Sequence, residues 1–238
     1  MRRHVDDGKG GCYQIYSWQM SLSRKKTPPE KFTSYYNVLE ACRQQGCPVC
    51  TLTEQSVRRH IDNLLYENVN DPDTRLALRS SRGMCAPHAD VLLKAGDAFG
   101  ISILYEDIIR EVQSSMAQQS VRALNASRPC PVCQFKFSQE NHYTKIFTDH
   151  VVQQELQDAL KQSSGLCLVH LRMVCGHLPD EETQRWLRTL HVEKLSTLRA
   201  QIREFIRKHE MQFSHEIITE VERKSCAVAI DTLVGMNI

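Results

Sequence analysis

Cys47-Pro48-Val49-Cys50 recurs letter for letter as Cys130-Pro131-Val132-Cys133. A third cysteine follows after 34 intervening residues in the first copy, within Ser81-Arg82-Gly83-Met84-Cys85-Ala86-Pro87-His88. In the second copy it follows after 33, within Ser163-Ser164-Gly165-Leu166-Cys167-Leu168-Val169-His170. Cys47 thus corresponds to Cys130, Cys50 to Cys133, Cys85 to Cys167 and His88 to His170. One C-x-x-C pair says little. Two such pairs, each trailed at nearly the same distance by S-x-G-x-C-x-x-H, describe an internal duplication that carries two sets of metal ligands.

The spacing has a chemical reason. Two residues between cysteines let both sulfurs reach one ion at about 2.3 Å. The proline stiffens the loop and lowers the entropy lost on binding. A cysteine and a histidine three apart share one face of a helical turn and can supply the remaining donors. Both pairs stand at predicted helix starts, where the dipole favours thiolate. The expected arrangement is one ion per half, Cys47, Cys50, Cys85 and His88 in the first and Cys130, Cys133, Cys167 and His170 in the second, although spacing alone does not show whether the two halves exchange ligands. Three cysteines and one histidine suit tetrahedral zinc, two ions per chain, with an iron-sulfur cluster as the chemical rival. With all four donors from protein, no position stays open for water, so the expected role is structural. No catalytic residue is assigned. The other cysteines, Cys12, Cys42, Cys175 and Cys226, read as small buried hydrophobes.

Outward from these motifs the chain reads as helix. Phe32, Tyr35, Tyr36, Leu39 and Ala41 fall at helical spacing, and Gly46 suits a left-handed cap. Leu52, Val57, Ile61, Leu64 and Leu65 form the next stripe. Asn70-Asp71-Pro72-Asp73 marks a turn or helix start. Residues 89 to 124 read as one or two helices, with Phe99, Leu104, Ile108, Val112 and Met116 on a shared face. Pro179-Asp180-Glu181-Glu182 opens a long helix whose stripe runs from Leu187 to Ile206. A last helix carries Ile217, Val221, Val228, Ile230 and Leu233 and stops near Gly235. No sustained alternation marks a strand. The expectation is an all-α bundle with internal duplication, two metal sites joining helix N-termini, and long C-terminal helices. The divisions are a flexible tail at 1–29, a first metal-binding repeat at 30–125, a second at 126–178, and a C-terminal helical segment at 179–238.

Composition narrows the setting. The 238 residues are 41% hydrophobic and 24% charged, with a net charge of +2 and few glycines. That is an ordinary globular chain with no field to steer it as a whole toward nucleic acid or a membrane. No apolar run approaches a membrane span, and the first twenty residues lack a signal-peptide core. The expected location is the cytoplasm, where the ten cysteines stay reduced, so that the six repeated ones read as ligands rather than as disulfides. Arg24, Lys25 and Lys26 form a short basic run that reads as solvated.

The two cysteine-histidine sets, Glu204-Phe205-Ile206-Arg207-Lys208-His209-Glu210 and Ala229-Ile230-Asp231-Thr232-Leu233-Val234-Gly235 together resemble a bacterial family catalogued only as a domain of unknown function. The likeness covers nearly everything after residue 30. It implies a helical cytosolic protein with paired metal sites, and it implies no activity.

Function is the open question. The leading expectation is a zinc-stabilised scaffold or interaction protein of unassigned pathway, with a partner protein or a second copy meeting any surplus apolar face of the long helices. A redox or metal sensor using zinc or an iron-sulfur cluster is the alternative. An enzyme is the weaker reading. Zinc deaminases carry His-x-Glu and, later, Pro-Cys-x-x-Cys. His88-Ala89-Asp90 and Pro129-Cys130-Pro131-Val132-Cys133 echo this, but Asp90 replaces the glutamate, and five of the repeated ligands are left idle. Arg199, Arg203, Arg207 and Lys208 make a basic strip, yet Glu204 and Glu210 interrupt it, which weighs against nucleic acid.

Overall fold

The computed structural model describes residues 30–117, 125–213 and 215–235; the stretch read as a tail, 1–29, lies outside them. Ten α-helices and no strand are present among the described residues. They are α1 (Thr33–Ala41), α2 (Pro48–Glu67), α3 (Pro72–Ser80), α4 (Ala86–Lys94), α5 (Ala98–Ala117), α6 (Pro131–His150), α7 (Gln154–Gln162), α8 (Leu168–His177), α9 (Glu181–Lys208) and α10 (Glu220–Val234). The helices from α2 to α5 contain 20, 9, 9 and 20 residues; those from α6 to α9 contain 20, 9, 10 and 28.

Local chemistry accounts for the starts. The Asp71 carboxylate accepts from the Thr74 N–H at 2.8 Å and caps α3. Asp180 does the same for α9 through Thr183, at 2.7 Å. Thr219 and Glu222 form a reciprocal capping box at α10. Prolines stand in the first turns of α2, α3, α4 and α6, where a missing N–H costs nothing.

The central pair is α2 with α6, and it is antiparallel. Ser56 and Tyr143 share a hydrogen bond of 3.1 Å between their hydroxyls. One turn later on α2, His60 stacks on Phe135, which lies two turns earlier on α6, with ring centroids 4.1 Å apart. Two cores result. One joins Val49 and Leu52 of α2 to Tyr143, Ile146 and Phe147 of α6, with α1, α7, α8 and the start of α9 around them. The other joins Val57, Ile61 and Leu64 of α2 to Val132 of α6, with α3, α4 and α5.

Some expectations do not hold. Gly46 is left-handed, with φ +94°, but α1 ends earlier, with Cys42 as its C-cap. Phe99 and Met116 are exposed, although Leu104 and Ile108 on the same helix are buried. The stripe on α10 also faces outward: Val221, Val228, Ile230 and Leu233 are exposed, and Ser225 and Glu222 are buried instead. The Lys208 ammonium reaching Glu222 at 2.7 Å explains this, because it draws the polar face of α10 onto α9. Cys226, expected inside, is exposed, whereas Cys42 is buried.

Candidate metal centres

Four helices begin in one way. Cys47 is the N-cap of α2, Cys85 of α4, Cys130 of α6 and Cys167 of α8. Cys50, His88, Cys133 and His170 each stand three residues further on. N-cap and third-residue side chains are the pair that meet in a capping box, so both project past the helix start into the positive end of its dipole. The sequence motif is therefore a helix-start motif in all four places.

The fold brings these starts together two by two. Cys47, Cys50, Cys167 and His170 form one group; Cys85, His88, Cys130 and Cys133 form the other. All eight expected residues are thus recruited, but the expectation that each half supplies its own set is overturned. The reason is length. A 20-residue helix runs roughly 30 Å, so α2 carries the chain that far from Cys50. The nine residues of α3 recover less than half of that. Because α6 is antiparallel, its far end lies beside the start of α2, and the chain leaving it delivers Cys167 and His170 there. The converse delivers Cys85 and His88 to the start of α6.

Donor spacing matches a single tetrahedral ion. Bonds of 2.3 Å to sulfur and 2.0–2.1 Å to nitrogen put neighbouring sulfurs about 3.8 Å apart and sulfur from nitrogen about 3.5 Å. In the first centre Cys50 Sγ lies 3.8 Å from Cys167 Sγ. The Nδ1 of His170 lies 3.5, 3.3 and 3.2 Å from the sulfurs of Cys47, Cys50 and Cys167. In the second, Cys85 Sγ is 3.5 Å from Cys133 Sγ. There His88 Nδ1 is 3.1, 3.7 and 3.4 Å from Cys85, Cys130 and Cys133. Both groups can hold a metal ion.

The loops in front of the helices are tied across each centre. The Gly46 N–H donates to Ser164 Oγ at 3.1 Å beside the first. Beside the second, the Ser127 N–H donates to the Ser80 carbonyl at 2.8 Å. Gly165, with φ +86°, is held where an added Cβ would sit 2.9 Å from Lys194 and 3.2 Å from His191 Nε2. That histidine accepts from the Leu166 N–H at 2.8 Å, which steadies the backbone entering Cys167.

The centres differ in burial and charge. Cys47, Cys50, Cys167 and His170 are all buried. A Cβ at Gly235 would stand 3.6 Å from Cys167 Sγ and 3.7 Å from Cys50 Sγ, so the end of α10 roofs this centre. In the second, His88 is buried and the three cysteines are half-buried. Hydrogen bonds from Cys47 and Cys50 push the Cys167 thiol far down. Bonding to Cys167 and Cys47 pushes Cys50 up. Burial opposes protonation of His170, but the adjoining sulfurs outweigh it and raise its pKa to about 10. In the second centre burial, then bonding to Cys85, pushes Cys133 up to about 12. Burial also works upward on Cys85, yet the His88 backbone N–H and Cys133 outweigh it and its net shift is down. Burial, with Lys136 nearby, pushes the His88 pKa down.

The roof at Gly235 and the serine ties were invisible to motif reading. Gly235 stands 68 positions from Cys167, and only the docking of α10 brings it there.

Residues 36–128 match a family described as "Family of unknown function (DUF6062)". The chain is also similar to an uncharacterised 23.9 kDa protein in the xynA 3' region of Caldicellulosiruptor sp. (strain Rt8B.4). The two are 22% identical over 202 residues, which span 83% of this chain and 99% of that protein. Both findings support the uncharacterised family that the motifs resemble. No solved structure matches.

Proposed function

We propose that the protein is an intracellular helical scaffold held together by two structural zinc ions, with a contact surface on its C-terminal helices. The observation that carries this is the pair of four-donor groups, each built from two helix N-termini. Four protein donors close a tetrahedral ion to water, as in structural rather than hydrolytic sites. The spacing within each group favours one ion over an iron-sulfur cluster, whose four ligands are divided among two or four irons and so span a wider group. Nine free cysteines among the described residues suit a reducing compartment. No helix among the described residues is long and apolar enough to cross a membrane.

The donor pairing bears on the deaminase reading too. His88, Cys130 and Cys133 do share a centre, as that reading requires, but Cys85 takes the fourth corner. Asp90, in the place of the catalytic glutamate, is exposed and pairs with Lys94 at 2.6 Å. A nucleic-acid role loses two of its four cations: Arg207 pairs with Glu204 and Glu216, and Lys208 with Glu222. Ile206, Ile217, Val221, Ile230 and Leu233 remain exposed on or between α9 and α10, the kind of surface a partner protein or second copy covers.

Metal analysis with an absorption spectrum of anaerobically purified protein tests the proposal. Two zinc per chain without a visible band is the expected result, and a brown sample overturns it. The half-buried sulfurs of the second centre favour one alternative, a redox sensor that releases its ion on oxidation. Retention of both ions in mild peroxide removes that alternative.

A further inference from the structure

His170 turns Nδ1 toward the three sulfurs of the first centre. A metal on Nδ1 leaves the ring proton on Nε2, which then needs an acceptor. Nε2 is buried and has no hydrogen-bond partner at ordinary distance. A buried donor left without an acceptor keeps its full desolvation cost, so the site has reason to supply a partner. The carboxylate facing it is Glu140, with Oε1 at 3.8 Å.

We propose that Glu140 is the positioning residue of the first centre, accepting the Nε2–H of His170 and so fixing the ring's tautomer and aim. This rests on the metal-centre reading above. Metal-bound histidines regularly donate their second nitrogen to a carboxylate, which orients the ring and raises its basicity. Glu140 has a place suited to this. It lies on α6, seven residues past Cys133, so the helix that begins at the second centre presents its carboxylate to the first. At the second centre the charged neighbour acting on His88 is a cation, Lys136. Glu140 is mostly covered, with 23% of its side chain exposed, and a small rotation brings its oxygen into hydrogen-bond range.

The test uses the full chain loaded with zinc, in competition with a chromophoric chelator. Alkylation of the freed cysteines, located by mass spectrometry, tells which centre has emptied. Glu140→Ala is expected to weaken the Cys47–Cys50–Cys167 centre roughly 10- to 100-fold and to leave the other unchanged. Glu140→Gln keeps an oxygen that accepts the Nε2–H, and is expected to recover most of that loss. Unchanged affinity in Glu140→Ala, equal weakening of both centres, or a glutamine variant as weak as alanine would each overturn the assignment. A wild-type chain that takes up no zinc refutes the metal-centre reading itself, before any variant is compared.

Discussion

Asp107 is buried, and three guanidinium groups converge on it. Arg75 and Arg79 from α3 reach Oδ2 at 3.2 and 2.8 Å, and Arg110 from its own helix reaches Oδ1. Burial pushes the carboxyl up, but hydrogen bonds from Arg75 and Arg110 and the surrounding charge outweigh it and hold it below the usual range. A depressed folded pKa means stability that is full above the unfolded value near 4 and lost as pH falls through the lower folded one. Asp107→Asn should cost about 1–3 kcal/mol at pH 7 in chemical denaturation. The gap to wild type should narrow as pH falls below about 4 and Asp107 becomes protonated. The difference between the two chains is the readout, because protonation of the sulfurs weakens both. A gap independent of pH would contradict the assignment. The same scale holds the sharpest test of donor pairing. Cys50→Ser with Cys167→Ser should remove one ion in all, since both serve one centre. Cys50→Ser with Cys85→Ser should remove both. Pairing within each half would make Cys50 and Cys85 partners, and the outcomes would interchange.

Between α2 and α6 the packing decides the whole arrangement, because their opposed directions set which helix starts meet. Phe147 is fully buried where α6 passes the first half of α2. Phe147→Ala should cost about 3–5 kcal/mol, the usual range for emptying an aromatic core site. Denaturant melts followed by helical circular dichroism measure it, and a loss under 1 kcal/mol would mean the helix pair is not held there. The start of α10 depends on the Thr219–Glu222 capping box and on Lys208, which binds Glu222 as well. Glu222 therefore serves its own helix and α9 at once, which is why a charged residue sits buried where the sequence stripe predicts an aliphatic one.

The whole molecule is closed by its two centres. Cys50 and Cys167 lie 117 positions apart, Cys85 and Cys133 only 48. Loop-closure entropy separates these by only about 0.8 kcal/mol, so loop size does not rank them. Burial does. With excess chelator, Cys85, Cys130 and Cys133 should become alkylated before Cys47, Cys50 and Cys167. Complete removal should cost cooperative folding, because binding free energy of a structural zinc, about 10–16 kcal/mol in small domains, is folding free energy. A stripped chain with an unchanged thermal midpoint would show that the helices stand without the ions.

Much of this was legible in the residues. The eight donors were visible because chemistry imposes a short, repeated spacing on them, and helix starts at Asp71, Asp180 and the prolines were visible because caps act within one turn. The partner of each donor pair was not. It depends on the antiparallel course of α2 and α6, a long-range choice made by apolar packing of Val49, Leu52, Phe147 and Val132, and no local signal encodes it. The outward face of α10 escaped for the same reason: periodicity shows that a stripe exists, but only neighbours decide which side is buried. What the chain determines by itself is which atoms can bind and how each helix begins. Which two helix starts meet at one point follows from helix length and direction, and these act only once the tertiary structure has formed.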